Sequence, residues 1–249
     1  MVRQAWVRAS ILLLGFAGVL WSLVALPSFW RVNPARELST RILMDDRFKP
    51  GVLSEVLVRI EAQPAPILLP HELARAEALV RLRIAEAAIE RKSSEDADRE
   101  AVSTMEKVKS SLSLNPADSF IWLTLYSVET ARSGFDRNNI SYLDQSYAIA
   151  PREGWIALRR NKLALAIFPM LSEAMRVKAV SEFAEMVEGG FIENVAINLT
   201  TVGWPHRDRL LASVEPVDII QRKLLAKRLV ADGMKVRVPG VESDERLWR

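Results

Sequence analysis

The sequence predicts an all-α protein with one transmembrane helix ahead of a helical domain, and three observations predict it. No charged residue occurs from Ala9 to Trp30. From Glu72 onward, apolar residues recur at steps of three and four in one segment after another, the spacing that lines one face of a helix. The alternation expected of strands appears only weakly, from Met234 to Val238.

The apolar run comes first. A helix needs roughly 20 apolar residues to cross the hydrocarbon core of a bilayer, and the stretch from Ile11 to Leu26 is almost wholly apolar. Of Trp6, Trp21 and Trp30, two lie at the expected ends, where indole rings suit headgroup positions, and Arg3, Arg8 and Arg31 bracket the span. A cleaved signal peptide and a buried core helix are the alternatives. Ala25-Leu26-Pro27 is a poor small-x-small cleavage site, which favours a retained anchor. A core helix of this length would carry a polar stripe. The expected boundaries are an N-terminal stub at 1–8, the span at 9–30, a juxtamembrane linker with two short helices at 31–66, a helical domain at 67–233 and an extended tail at 234–249. Arginines flank the run on both sides, so charge alone leaves orientation open. A short stub with two arginines and no acid usually stays in the cytoplasm, which places the body in the periplasm of a bacterial inner-membrane protein.

Composition sets the bounds on the remainder. With 34 Lys and Arg against 31 Asp and Glu, the chain has no concentrated positive field, and nucleic acid is not an expected partner. The absence of cysteine excludes disulfides, thiolate nucleophiles and cysteine metal sites.

The helices follow in order. Asn33-Pro34 and Lys49-Pro50-Gly51 read as breaks, with Val52 to Ile60 between them and the prolines at 64 and 66 as helical. Glu72 to Arg91 carries the stripe Leu73, Ala76, Val80, Ile84 and Ala87, with Glu77 and Arg81 paired four apart on the outer face. Ser93 and Asp96 form a capping-box pattern for a helix with Ala97, Ala101, Met105, Val108 and Leu112 inward. After Asn115-Pro116, a helix with Trp122, Leu125 and Tyr126 stops at Gly134, and its partner runs from Asn139 to Ala150, closed by Pro151. Trp155 to Phe168 and Ser172 to Glu188 make a further pair, ended by Gly189-Gly190. Phe191 to Leu199, a short helix at Leu210-Leu211 and a last helix from Val217 to Ala231 complete the domain before Pro239-Gly240 turns into a charged tail.

Pro116 and Pro151 lie 35 residues apart, and a tryptophan, Trp122 or Trp155, opens the helix after each. A recurring two-helix unit of that size implies stacking, because one hairpin cannot bury its own apolar face. At Trp122 and Leu125, and at the small, apolar and small positions Thr104, Val108 and Ser111 before Pro116, the chain resembles a tetratricopeptide repeat protein. Asn139, Leu143 and Ser146 before Pro151 fit the pattern less well, and Tyr126 and Glu129 stand where the family has Gly and Tyr. The resemblance spans roughly 97–168 and implies a right-handed stack of antiparallel helix pairs with a partner-binding groove. By architecture, and through Gly203-Trp204-Pro205 and Pro239-Gly240-Val241-Glu242, the chain is also similar to small anchored repeat proteins that accompany bacterial cell-surface polysaccharide synthesis and export.

Catalytic chemistry has no evident foothold. No phosphate loop, nucleophile elbow or carboxylate pair can be picked out, and His71 and His206 lack metal-ligand spacing. Both histidines read as helix-start residues. Asn139-Ile140-Ser141 and Asn198-Leu199-Thr200 match glycosylation sequons by short patterns of high chance frequency. Two basic clusters are the candidate interaction surface: Arg159, Arg160 and Lys162, and Arg222, Lys223, Lys227 and Arg228. On the last helix, Ile219, Ile220, Leu224 and Leu225 are expected on one side and the four cations on another, although a merely solvated face gives the same pattern.

These readings favour a non-enzymatic, membrane-tethered scaffold without cofactor, metal or small-molecule substrate. Its partners would be proteins of an envelope complex and the lipid around residues 9–30. An envelope enzyme of helical lytic or transferase type using one acid, with Glu129 as the residue to test, and a stabilising subunit of a larger membrane complex are the alternatives.

Overall fold

The computed structural model describes residues 2–43, 46, 48–49, 51–62, 70–90 and 94–242. It is all-helical, and the described residues contain no strand. The chain divides into two compact units, one formed by residues 1–117 with 127–132 and the other by 118–126 with 133–249.

The first unit is built on α1 (Val2–Leu43), α2 (Val52–Glu61), α3 (His71–Glu90) and α4 (Ser94–Leu114). The first helix does not stop at Trp30, where the sequence places a linker, but runs on through Pro34 to Leu43. An interior proline removes a ladder hydrogen bond and costs about 3 kcal/mol or more. Burial offsets it here. Val32, Ala35, Ser39 and Ile42 recur at steps of three and four and are all buried where α1 packs on α3. Each large apolar side chain so buried contributes about 1.5–3 kcal/mol. Only one short helix, α2, follows within 44–66 among the described residues.

Upstream of that stripe, every side chain from Ser10 to Leu23 is exposed, roughly four turns with no covered face. Among the described residues no helix is long and apolar enough to cross a membrane. The unbroken run of described side chains, Ser10 to Leu23, is shorter than the uncharged stretch in the sequence.

α3 is the central helix of its unit, packed by α1, α2 and α4. Ala76 and Val80 of the expected stripe are buried, and so are Ala74, Ala78, Leu79, Leu82 and Ala85 on other sides. Arg81 is therefore not on an outer face. It is buried and bonds Glu77 at 3.5 Å, Ser103 at 2.6 Å and Glu61 of α2. On α4, Met105, Val108 and Leu112 face inward as expected, joined by Thr104 and Ser111. The capping box at Ser93 and Asp96 and the prolines at 64 and 66 lie outside the described residues or side chains.

α5 (Ser119–Ser133) contributes residues to both units. The second unit continues with α6 (Ile140–Ile149), α7 (Gly154–Ala166), α8 (Glu173–Glu188), α9 (Ile192–Thr200), α10 (Arg207–Ser213) and α11 (Ile219–Ala231). The starts are capped by side chains where the sequence supplies them. Ser172 accepts from the Met175 N–H at 3.3 Å, and Asp218 accepts from the Ile220 N–H at 2.7 Å. Helix α7 packs on α8 and α9, α8 on α9, α10 and α11, and α9 on α11. The core at these contacts is Ile156, Leu165, Phe183, Met186, Leu199, Leu210 and Leu225.

Residues 234–238 form no regular element. Their alternation survives as burial: Val238 is buried while Lys235 and Arg237 are exposed. Val238 to Val241 then makes a turn closed by the Val241 N–H to the Val238 carbonyl at 3.1 Å. Pro239 presets its first corner, and Gly240 at φ 70° occupies the left-handed second corner of a type II turn. The Arg222 guanidinium donates to the Pro239 carbonyl at 2.7 Å and holds the turn.

Candidate interaction surface and a buried polar cluster

The first basic cluster comes apart in the structure. On α7 the inward residues are Ile156, Ala157, Arg160, Asn161, Ala164 and Leu165, two abreast on each successive turn. Arg160 is thus placed in the core, with no exposed surface at all. It cannot belong to an interaction surface. Arg159, one residue away on the helix, is half-buried and lies over the Phe120 ring at 5.5 Å. Lys162 is exposed.

A buried cation must be paired, because an isolated charge is costly in a low-dielectric interior. α8 supplies the partner by the same register. Its inward stripe of Met175, Ala179, Glu182, Phe183, Met186 and Val187 includes one carboxylate, Glu182, which is 2% exposed. Arg160 donates to Glu182 Oε1 from Nε at 2.9 Å and from Nη2 at 2.7 Å. Its remaining donors reach the Ser146 carbonyl at 2.7 Å and the Ala150 carbonyl at 2.9 Å, at the C-terminal end of α6. The guanidinium also lies over the Tyr147 ring, 4.1 Å from its centre. Glu182 Oε2 accepts from the Tyr147 hydroxyl at 2.6 Å.

Asn161 extends the cluster, donating to the Ala179 carbonyl at 2.9 Å and accepting from Asn198 of α9 at 3.3 Å. Asn198 is therefore buried, and the sequon it heads is closed within the core. On the other side, Ser119 of α5 donates to the Ser146 carbonyl at 2.8 Å. Residues of five helices, α5 to α9, meet in this one network.

Its electrostatics are those of a closed site. Burial raises the Glu182 carboxyl above its usual range, against the opposing pull of the Arg160 charge and the hydrogen bonds from Tyr147, Arg160 and Asn161. Burial, then the Glu182 charge, pushes the Tyr147 phenol well above its ordinary value. The phenol is thus a proton donor to the carboxylate at neutral pH. The cluster specifies which helix faces meet and offers no path to a substrate.

The second basic cluster also divides. Arg222 is half-buried against the tail turn, and Arg228 is paired with Glu193 of α9 and with Asp232 at 3.0 Å. Lys223 and Lys227 are exposed. The apolar side expected on α11 is also redistributed. Leu225 and Leu229 are buried, whereas Ile220 is 64% and Leu224 45% exposed.

His71 begins α3 half-exposed beside Glu72, with Nδ1 to Oε2 at 3.3 Å. His206 stands at the N-cap of α10 but makes no capping bond, because its ring lies against Phe168 at 4.4 Å. Burial, then the charges of Arg176 and Arg209, lower its pKa. Glu129, the acid to test for catalysis, is ion-paired with Lys109 at 3.4 Å. Among the described residues no three His, Asp or Glu side chains are grouped to hold a metal ion.

The sequence reading missed a cleft of about 500 Å³ between α8 and α10, lined by Val177, Val180, Ala184 and Val217 with Glu185 and Glu188 at its rim. The sequence signal was Val177, an apolar residue outside the inward stripe of α8, which the structure leaves 54% exposed. The chain matches no protein-family model, no curated protein and no solved structure.

Proposed function

We propose that the protein is a non-enzymatic scaffold, tethered to a bacterial inner membrane by residues 9–30, whose body is a tetratricopeptide-like right-handed stack of antiparallel helix pairs. The body faces the periplasm and docks protein partners of an envelope assembly, with cell-surface polysaccharide synthesis or export as the setting its architecture resembles.

One observation carries the reading. From Ser10 to Leu23 the first helix exposes apolar side chains on every side, including Ile11, Leu12, Leu13, Leu14, Phe16, Val19, Leu20, Trp21 and Leu23. An amphipathic helix awaiting a protein groove would expose one stripe. A helix apolar all round wants an apolar medium on all sides, and about 1.5–3 kcal/mol accrues for each large side chain removed from water. The uncharged stretch from Ala9 to Trp30 has the length for a bilayer. Glu129 is ion-paired with Lys109 and the His206 ring is packed on Phe168, which supports a role in binding rather than turnover.

The test is flotation of the full chain and of a chain lacking residues 1–30 with membrane vesicles, followed by affinity capture from detergent extracts. The full chain should float, resist alkaline extraction and capture a reproducible set of membrane proteins. The shortened chain should do none of these. Equal flotation of both chains, or an identical captured set, would refute tethering as the basis of function.

A further inference from the structure

The divided cluster on α11 leaves a face that the other described residues do not cover. At 3.6 residues per turn, Ile220, Lys223, Leu224 and Lys227 fall within an arc of about 100°. That arc is centred opposite the buried Leu225 and Leu229. All four residues are exposed, Ile220 at 64% and Leu224 at 45%. Asp218, the acid at the start of α11, turns toward the helix N-terminus to cap the Ile220 N–H, and Asp232 beyond its end is bound to Arg228. The nearest carboxylate of α9, Glu193, is also taken by Arg228. The face therefore sets bare apolar side chains beside cations, with no acid among the described residues on it.

We propose that this face of α11 rests on an anionic lipid surface, with Ile220 and Leu224 entering the headgroup boundary and Lys223 and Lys227 pairing with lipid phosphates. The inference rests on the tether. Each lysine near an anionic leaflet contributes only about fivefold to occupancy, so two lysines and two apolar side chains would hold a free protein weakly. A chain already anchored in the bilayer meets lipid at high effective concentration, and a modest patch then suffices. An interfacial helix is recognised by this pairing of an apolar strip with Lys or Arg beside it. A protein partner or a second copy of the chain would be the other occupants of such a face.

The chain contains no cysteine, so Leu224→Cys gives a single labelling position for an environment-sensitive fluorophore, with Arg152→Cys as an exposed control off the face. The labelled full-length chain is reconstituted in vesicles of phosphatidylcholine alone and in vesicles with phosphatidylglycerol added. In the anionic vesicles the Leu224 probe should shift to the blue and be quenched by nitroxide-labelled lipid, while the control probe does neither. High salt should reverse the shift with both lysines intact. Lys223→Glu with Lys227→Glu should lower lipid occupancy about 30-fold or more.

A probe that behaves alike in neutral and anionic vesicles overturns the inference while leaving the tether standing, provided the chain floats. A shift that lipid quenchers do not touch and that grows with protein density assigns the face to a second copy and overturns it too. Failure of the full chain to float overturns the tether itself, and this inference with it.

Discussion

Replacing Glu182 tests the account of the second unit most directly. In Glu182→Gln the amide oxygen can still accept from Arg160, but the ionic partner of a fully buried guanidinium is gone. The amide nitrogen then faces the Asn161 Nδ2 donor, at 3.5 Å in the native arrangement. Breaking a buried pair by removing one partner costs about 3–5 kcal/mol, and with Arg160 0% and Glu182 2% exposed no solvent screening reduces that figure. Arg160→Met should cost a similar amount. The double variant Arg160→Met/Glu182→Leu removes both charges together. It leaves the Ala150 carbonyl and the Tyr147 hydroxyl without these partners, at about 1–3 kcal/mol each, so its cost should be clearly smaller than the two single losses combined. Urea unfolding of the full chain in mild detergent, followed by far-ultraviolet circular dichroism, reads all three. A loss under about 1 kcal/mol for the single variant, or losses that add to within about 0.5 kcal/mol as for independent sites, would refute the pairing argument.

Two further predictions concern other parts of the chain. Burial raises the pKa of Glu72, but the Arg36 hydrogen bond, the backbone N–H and the nearby His71 and Arg36 charges outweigh it and leave the value lowered. Its contribution to stability is present above 4.5 and is lost as pH falls through the folded value, so Arg36→Ala should flatten the acid limb of stability measured by thermal melts below that pH. At Gly203 an added Cβ would meet the Asn198 carbonyl at 2.9 Å and the Leu199 Cα at 3.2 Å. Because the obstacle is largely backbone, Gly203→Ala should cost about 1–3 kcal/mol in a urea titration, and a neutral result would mean that the turn after α9 yields.

The helices were legible because their signals are local. Proline breaks, glycine stops and three-four periodicity placed most ends within a residue or two, as at Gly134 and Gly190, both at positive φ. Where the reading failed, rotation about a helix axis or packing from elsewhere decided the outcome. Arg159-Arg160-Lys162 looked like one patch because adjacent cations were counted along the chain, whereas helical residues one apart point about 100° away from each other. The corrective signal was present. Arg160 lies four residues from both Ile156 and Ala164, inside an apolar stripe, and Glu182 interrupts the stripe of the following helix in the same way. A cation and an acid, each set into an apolar face on consecutive helices, are a sequence signature of a buried pair. Pro34 misled for a different reason. Local propensity argues for a break, and only the packing of Val32, Ala35, Ser39 and Ile42 on α3 overrules it.

That override bears on how the proposed anchor would work. With a loose linker after Trp30, the body would wander over a range set by linker length, and the tether would supply little beyond confinement. The helix instead continues to Leu43, and the first buried side chain described on it is Val32, two residues and about 3 Å of helical rise beyond the end of the uncharged stretch. The same helix therefore supplies both the exposed apolar segment and part of the core of the first unit. A span at 9–30 would seat α3 directly at the membrane surface. The anchor would then be a structural member of the first unit, and shortening it would remove positional information as well as attachment. Inserting flexible Gly-Ser residues between Trp30 and Val32 would separate the two roles of the proposed anchor, since the chain would stay in the membrane while its first unit would be released from a fixed height.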